Sequence, residues 1–273
     1  MDHVDILGVK IDKSSYREVL DRIEKQIKSK KQAWIATPNP EIVLKAGESE
    51  KYRQVLNSAN LRISDGIGLS VATKYLDKIK DRNYKLETLG KLWLWKITVL
   101  EMLWDKKLVE KILPQISGDE LIFKLLPLAR KNNWKIFLLG GKQGNAKLAS
   151  EKINNKYGVE VKSHPGAVCI EKELENENKE IINAINKFKP DILLVAYGAP
   201  YQEIWISKNF KKLKTYIAIG IGGTIDDIAN DSQTPLWLRK RGLRWLWRLV
   251  KEPRRMGRIW NAVVIFGWKM IRS

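Results

Sequence analysis

Six short runs rich in Ile, Val or Leu punctuate this chain, and each ends at a small or polar turn before a helix-forming stretch: "QAWIAT", "LRISDGIGL", "WKIFLLGG", "VEVKSHPG", "PDILLVAYGAP" and "YIAIGIGGT". A repeated unit of strand, turn and helix admits few solutions. The one it specifies is an α/β domain on a mainly parallel sheet flanked by helices. Ligands of such sheets bind outside the carboxyl ends of the strands, where this chain places its polar knots, among them Thr37-Pro38-Asn39-Pro40 and Asp65-Gly66. The strands stop where a site begins. With 273 residues, 44% of them hydrophobic, the chain can bury a full core. "VDILGVKID" reads as a strand and turn before the first helix, which Ser15 and Glu18 announce as a capping box ahead of Leu20, Ile23 and Ile27.

Two segments break the rhythm. Residues 76–113 are long, basic and Trp-rich ("KLWLWKITVLEMLWDKKL"), and such a length predicts at least one amphipathic helix inserted into an α/β domain over 1–231. The second segment, 232–273, carries eleven Lys and Arg against one acid, so about half of the net charge of +19 lies in the last sixth of the chain. Arg241, Arg244, Arg248, Lys251, Arg255 and Arg258 step at helical intervals, and Leu243, Leu246, Trp247 and Val250 take another face. Pro253 should break or bend this helix. Such charge calls for an anionic partner: nucleic acid, an anionic membrane surface or a phosphorylated substrate. Trp237, Trp245, Trp247, Trp260 and Trp268 share the segment, which favours an interfacial helix over a merely solvated face.

Composition excludes several classes. One cysteine, Cys169, leaves no internal disulfide, and two histidines, His3 and His164, cannot build a usual zinc cluster. The start "MDHVDILGVKID" lacks a signal pattern, and no run approaches the roughly 20 apolar residues of a spanning helix. The expectation is a protein of the cytoplasm that touches a membrane peripherally.

Asp65 in "ISDGIG" follows a strand, where a carboxylate can take a proton from an acceptor hydroxyl or simply cap a helix. "LLGGKQGNA" resembles a phosphate-cradling turn, although Gly140, Gly141 and Gly144 do not complete a dinucleotide fingerprint; tight strand-to-helix packing reads equally well. Gln202 opens a helix and is a candidate hydrogen-bonder of a sugar or nucleotide, whereas Glu203 beside it reads as a complement to the helix dipole. "GIGGTIDD" supplies another turn through Gly222 and Gly223, with Asp226 and Asp227 as candidate partners of ribose hydroxyls or plain helix caps. No Asp-x-Asp metal motif occurs.

Taken in order, "ATPNPEIV", "SDGIGL", "IFLLGG", "VAYGAPYQEIW", "IGIGGTID" and "GLRWLWRLVKEPRR" resemble the WecG/TagA/CpsF glycosyltransferase family. The resemblance implies a Rossmann-like α/β fold of the GT-E type with a helical, basic C-terminal appendage that helps close the active site at the membrane. It also implies an inverting transferase that takes N-acetylmannosamine from a UDP-sugar donor to a polyprenyl-diphosphate-linked N-acetylglucosamine; with no Asp-x-Asp site, arginines and backbone amides are expected to stabilise the leaving diphosphate without a metal cofactor. Carried over, the catalytic acid falls on Asp65, pocket residues on Thr37 and Asn39, the helix-start Gln on Gln202 and a nucleotide-side acid on Asp226. Arginines that meet the acceptor diphosphate fall on Arg241 or its neighbours, Arg248, and the pair Arg254 and Arg255. On this reading the prolines turn Thr37 and Asn39 toward the sugar.

Three departures from the family pattern stand out. An expected Arg-x-x-Gly-x-Asp becomes "QISGDE", with Gln115 and Glu120, which removes a pocket cation; "GYF" becomes "GAV" at 166–168; and the segment 76–113 has no counterpart in the common pattern. That segment offers either a second membrane contact or a homo-oligomer contact. Other donors, glucose or N-acetylmannosaminuronic acid, suit the same fold, and loss of a cation at Gln115 disfavours the uronic acid. A nucleic-acid-binding protein is the rival from another class, but the α/β part carries no such signature. An inactive membrane scaffold is the third reading, against which Asp65, Thr37 and Asn39 stand together.

Overall fold

The computed structural model describes residues 2–81, 87–142, 144–167, 175–232, 234–241, 243–251, 253 and 256–273. Its centre is a six-stranded, all-parallel sheet of β3 (Ala33–Ala36), β4 (Leu61–Arg62), β5 (Ile136–Gly140), β6 (Val161–His164), β7 (Ile192–Ala196) and β8 (Ile217–Gly220), ordered β4-β3-β8-β7-β5-β6. The hairpin of β1 (His3–Ile6) and β2 (Val9–Asp12) stands apart as a two-stranded sheet. Strict alternation along each central strand sends side chains to two cores. Trp34, Phe137, Leu139, Leu193 and Val195 face one, and Ile35, Ile136, Leu138, Leu194 and Ile219 the other. Helices cover both faces, which gives the Rossmann-like α/β architecture the sequence pattern called for.

Local signals act as read. Ser15 and Glu18 form a complete capping box on the helix Tyr16–Lys28, which buries Val19, Ile23 and Ile27. The chain leaves β3 toward β4, whereas after β8 the helix Thr224–Ala229 packs on the helix Asn145–Tyr157, which lies against β5 and β6. The chain thus departs in opposite directions from the neighbours β3 and β8, a switch point of the kind where open α/β sheets bind ligands.

The two irregular segments differ from expectation in detail. Residues 76–81 continue the helix Ile67–Asp81 that starts after the Asp-Gly turn, so the inserted helix is Thr88–Trp104. It is apolar nearly all round rather than amphipathic: Leu94, Thr98 and Met102 are buried while Leu89, Trp93, Leu100, Leu103 and Trp104 are exposed. In the tail the described α-helices Arg244–Lys251 and Met256–Trp260 lie on either side of Pro253, and a π-helical turn, Asn261–Ile265, leads into Phe266–Arg272. Phe266 and Met270 are buried in the same core as Tyr75 and Leu94. The end of the tail is thereby anchored in the α/β core. Among the described residues no helix is long and apolar enough to cross a membrane.

Candidate active site

The Thr-Pro-Asn-Pro knot and the Asp-Gly turn are built as one unit. Asn39 caps the helix Pro40–Glu48, its Oδ1 accepting from the Ile42 amide at 2.9 Å, and Pro40 is the first helical residue. The Asp65 amide donates to the Pro38 carbonyl at 2.8 Å. A Cβ on Gly68 would lie 2.7 Å from Pro40 Cγ, so only glycine lets the two turns close on each other. The result is a cavity of about 670 Å³ lined by Asn39, Asp65, Gln115, Arg244 and Arg248, by the charged Glu41, Lys96 and Arg258, and by apolar residues that include Trp95, Val99, Leu103, Ile259 and Val263. The inserted helix and the tail thus supply most of the wall around an acid the α/β domain presents.

Three carboxylates meet the tail's arginines here. Arg244 pairs with Asp119 at 2.8 Å and stands 3.9 Å from Asp65; Arg248 pairs with Asp227 at 2.7 Å; Arg239 stands 3.9 Å from Asp119. Burial pushes the Asp65 carboxyl above its ordinary pKa, against the pull of Arg244 and Arg248. At Asp119 burial acts in the same direction, but Arg244, the Ser117 hydroxyl and Arg239 outweigh it and hold the carboxyl below its usual value. Burial draws the Arg248 guanidinium down, and Asp227, Asp65 and Asp119 more than offset it. Two acids close in space are driven apart, one ready to accept a proton and the other fixed as an anion. The Arg244 Nε is buried without a hydrogen-bond partner, a donor beside the acid that an anionic ligand would satisfy.

The other sequence candidates sort into supports and outliers. Thr37 is buried and does not face the cavity as expected; its hydroxyl donates to the Gly220 carbonyl at 2.7 Å and ties β3 to β8. Gln202 is likewise buried rather than open to a sugar: its Oε1 accepts from the Gly222 amide at 2.9 Å and its Nε2 donates to Glu203. Gly222 and Gly223 form the turn that this amide braces before the helix Thr224–Ala229. Gly140 ends β5 and Gly141 enters a loop whose anion is internal, because the Lys142 amide and the Asn145 side chain both donate to Asp226 Oδ1, at 2.8 and 2.7 Å. Arg241 is exposed at the end of the helix Leu236–Lys240, so Arg244 takes the place beside the acid. Arg254 and Arg255, and Val168 of the altered "GAV", lie outside the described residues.

Sequence reasoning missed Asp119 and misjudged the cation. Glu120, taken for the pattern's acid, turns away to accept from the Tyr16 hydroxyl at 3.0 Å, while Asp119 points to the arginines. Position 115 has no cation, but the same cavity is lined by the guanidinium of Arg244, more than a hundred residues later. The available signal was the adjacent Asp in "SGDE" together with the tail's stripe, but one-dimensional spacing could not join them.

Glu203, read from the sequence as a complement to the helix dipole, is fully buried; it accepts from the Tyr52 hydroxyl at 3.0 Å and from Gln202 at 2.7 Å. Burial raises its pKa to about 7. The folded state therefore holds a proton that the unfolded chain releases near pH 4.5. Its stabilising contribution is complete below that value and is lost as pH rises through about 7, on the order of 3 kcal/mol by pH 8 to 9. Glu203→Gln should flatten the thermal stability profile between pH 5 and 8.5; an unchanged slope would show that Glu203 does not carry it.

A family model described as the WecG/TagA/CpsF glycosyl transferase family matches residues 4–96 and 99–273. The chain belongs to this family. The match runs through the segment 76–113 apart from residues 97 and 98, so that segment is not foreign to the family, as the common pattern had suggested. Relatives in Staphylococcus aureus strains MW2, NCTC 8325 / PS 47 and COL, each named N-acetylglucosaminyldiphosphoundecaprenol N-acetyl-beta-D-mannosaminyltransferase, are 26% identical over 274 positions, covering 99% of this chain and 92% of each relative. This protein is a glycosyltransferase.

Proposed function

We propose that this glycosyltransferase transfers N-acetylmannosamine from its UDP donor to the N-acetylglucosamine of a polyprenyl-diphosphate-linked acceptor, with inversion and without a metal, at the inner face of the membrane. One observation carries the reading: Asp65, with its raised pKa, sits where two arginines of the tail meet an apolar cavity. The relatives' names supply the sugar and the lipid diphosphate.

The chemistry follows from these groups. Asp65 takes the proton of the acceptor hydroxyl as its oxygen attacks the anomeric carbon. The bond from that carbon to the UDP oxygen breaks, its electron pair leaves on the diphosphate, and a single displacement inverts the centre. Positive charge for the phosphates comes from Arg244 and Arg248, preorganised by Asp119 and Asp227. Thr37 and Gln202 act as positioning residues, holding the β3 and β8 turns in register from beneath. The exposed tryptophans Trp237, Trp260 and Trp268 and the basic tail favour docking on an anionic leaflet. No nucleic acid is invoked.

Transfer to a lipid-diphosphate N-acetylglucosamine analogue in excess EDTA tests the reading directly. Turnover from UDP-N-acetylmannosamine with the β-linked product is expected; activity lost in chelator and restored by a divalent cation would overturn the metal-free mechanism. UDP-N-acetylmannosaminuronic acid belongs in the same assay, because Arg244 supplies a cation that Gln115 does not.

A further inference from the structure

The cavity is longer than the chemistry needs. Asp65, Arg244 and Arg248 line it, the pair of Arg258 with Glu41 and the exposed Lys96 line it as well, and Val99 and Leu103 of the inserted helix and Ile259 and Val263 of the tail supply apolar wall. Its floor is fixed by Trp95, which packs edge-on against Tyr75 and Phe266 at ring-centroid distances of 5.3 and 6.5 Å. The π-helical turn Asn261–Ile265 presents Ala262 and Val263 to the cavity, an irregularity of the kind that recurs at functional sites.

Exposed apolar side chains share these two segments. Of the large hydrophobic side chains exposed among the described residues, all but Leu148 and Ile204 lie on the inserted segment or the tail. Leu100 lines the cavity and is exposed, and Trp104, Trp260 and Val264 on the same two segments are exposed as well, Trp104 to 90%. A ligand that fits this lining carries both negative charge for the cations and a flexible apolar chain for the wall. A second protein copy seated here would cover Asp65, which a working enzyme must leave open.

We infer that this trough is a chain-binding subsite: it takes the first isoprene units of a polyprenyl diphosphate, lifting them out of the bilayer and holding the acceptor's diphosphate at the other cations of the lining, Lys96 and Arg258, so that Arg244 and Arg248 stay with the donor. The inference rests on the proposed lipid-diphosphate acceptor and adds that the protein itself, beyond the membrane, reads the chain. Burying a few methylene groups is enough for about a tenfold gain in affinity.

Calorimetry on the full chain in detergent-free buffer, with farnesyl diphosphate against inorganic diphosphate, measures the chain's contribution without turnover. Farnesyl diphosphate is expected to bind at least about tenfold more tightly. Val263→Trp and Leu103→Trp, which fill the trough from opposite walls at positions already half open to solvent, are expected to bring farnesyl diphosphate down to the affinity of inorganic diphosphate. Equal affinities in the wild type would overturn the subsite. Two further results would also overturn it: the variants weaken binding to anionic vesicles but keep the chain preference, which makes the face a bilayer contact, or sedimentation shows that they dissociate an oligomer while the preference stays, which makes it a subunit contact. Failure of N-acetylmannosamine transfer with the chain preference intact would instead fault the sugar assignment and leave the subsite standing.

Discussion

Asp65→Asn is expected to lower turnover by about 10²- to 10⁴-fold, the range of a lost general base, while donor affinity changes little. The pH profile separates this role from a structural one. Burial raises the Asp65 pKa, so the carboxylate that accepts the proton is populated only above that raised value. In the wild type kcat/KM should therefore climb with pH through a midpoint above the ordinary carboxylate value of about 4. Arg244→Gln should move the midpoint higher still, because the guanidinium favours the charged form. An acid with a raised pKa contributes stability below its unfolded pKa and loses it as pH rises through the folded one. At pH 7.5 the Asn variant should thus melt no lower than the wild type. A variant that retained activity, or lost it only by unfolding, would remove Asp65 from the proposed mechanism.

Arg244→Ala is expected to cost both activity and about 3 kcal/mol of stability, since it strands the Asp119 carboxylate, only 5% exposed, without its closest cation. The sign is fixed by the direction of the shift. Asp119 is held below its usual pKa, so its pairing stabilises the fold above the unfolded carboxylate pKa and is lost as pH falls through the depressed one. The deficit of the Ala variant should accordingly be full at neutral pH and shrink in acid. Adding Asp119→Asn should restore most of the melting temperature without restoring transfer. If the single variant melts like the wild type, Arg239 at 3.9 Å suffices as partner and the pair is not the keystone of the docked tail.

These expectations separate the part of the site that reads directly from the chain from the part that does not. Asp65 was legible through the order of motifs, because an acid before glycines at a strand end can equally cap a helix and only the family resemblance gave it the catalytic role. Asn39 was legible for the same reason, although its amide oxygen proves to be spent on the cap. Thr37, Gln202 and Asp226 were legible as site-edge residues but not as braces, because the choice between an outward and an inward hydroxyl, amide or carboxylate depends on which backbone group a neighbouring turn leaves unpaired. Asp119 was hidden by its neighbour Glu120. Both are acids at the start of one helix, and only the direction of the helix decides which of them meets Arg244.

The sequence alone determined the α/β class, the site at the strands' carboxyl ends, the capping box and the family, because these follow from local periodicity, turn chemistry and motif order. Only the tertiary structure decided that residues 88–104 and 256–266 wall one cavity with Asp65, and that Arg244 brings a cation to it. The physical reason is the same in both cases. Burial and ion pairing join residues far apart in the chain, and an apolar helix carries the same pattern whether its outer face meets core, ligand or membrane.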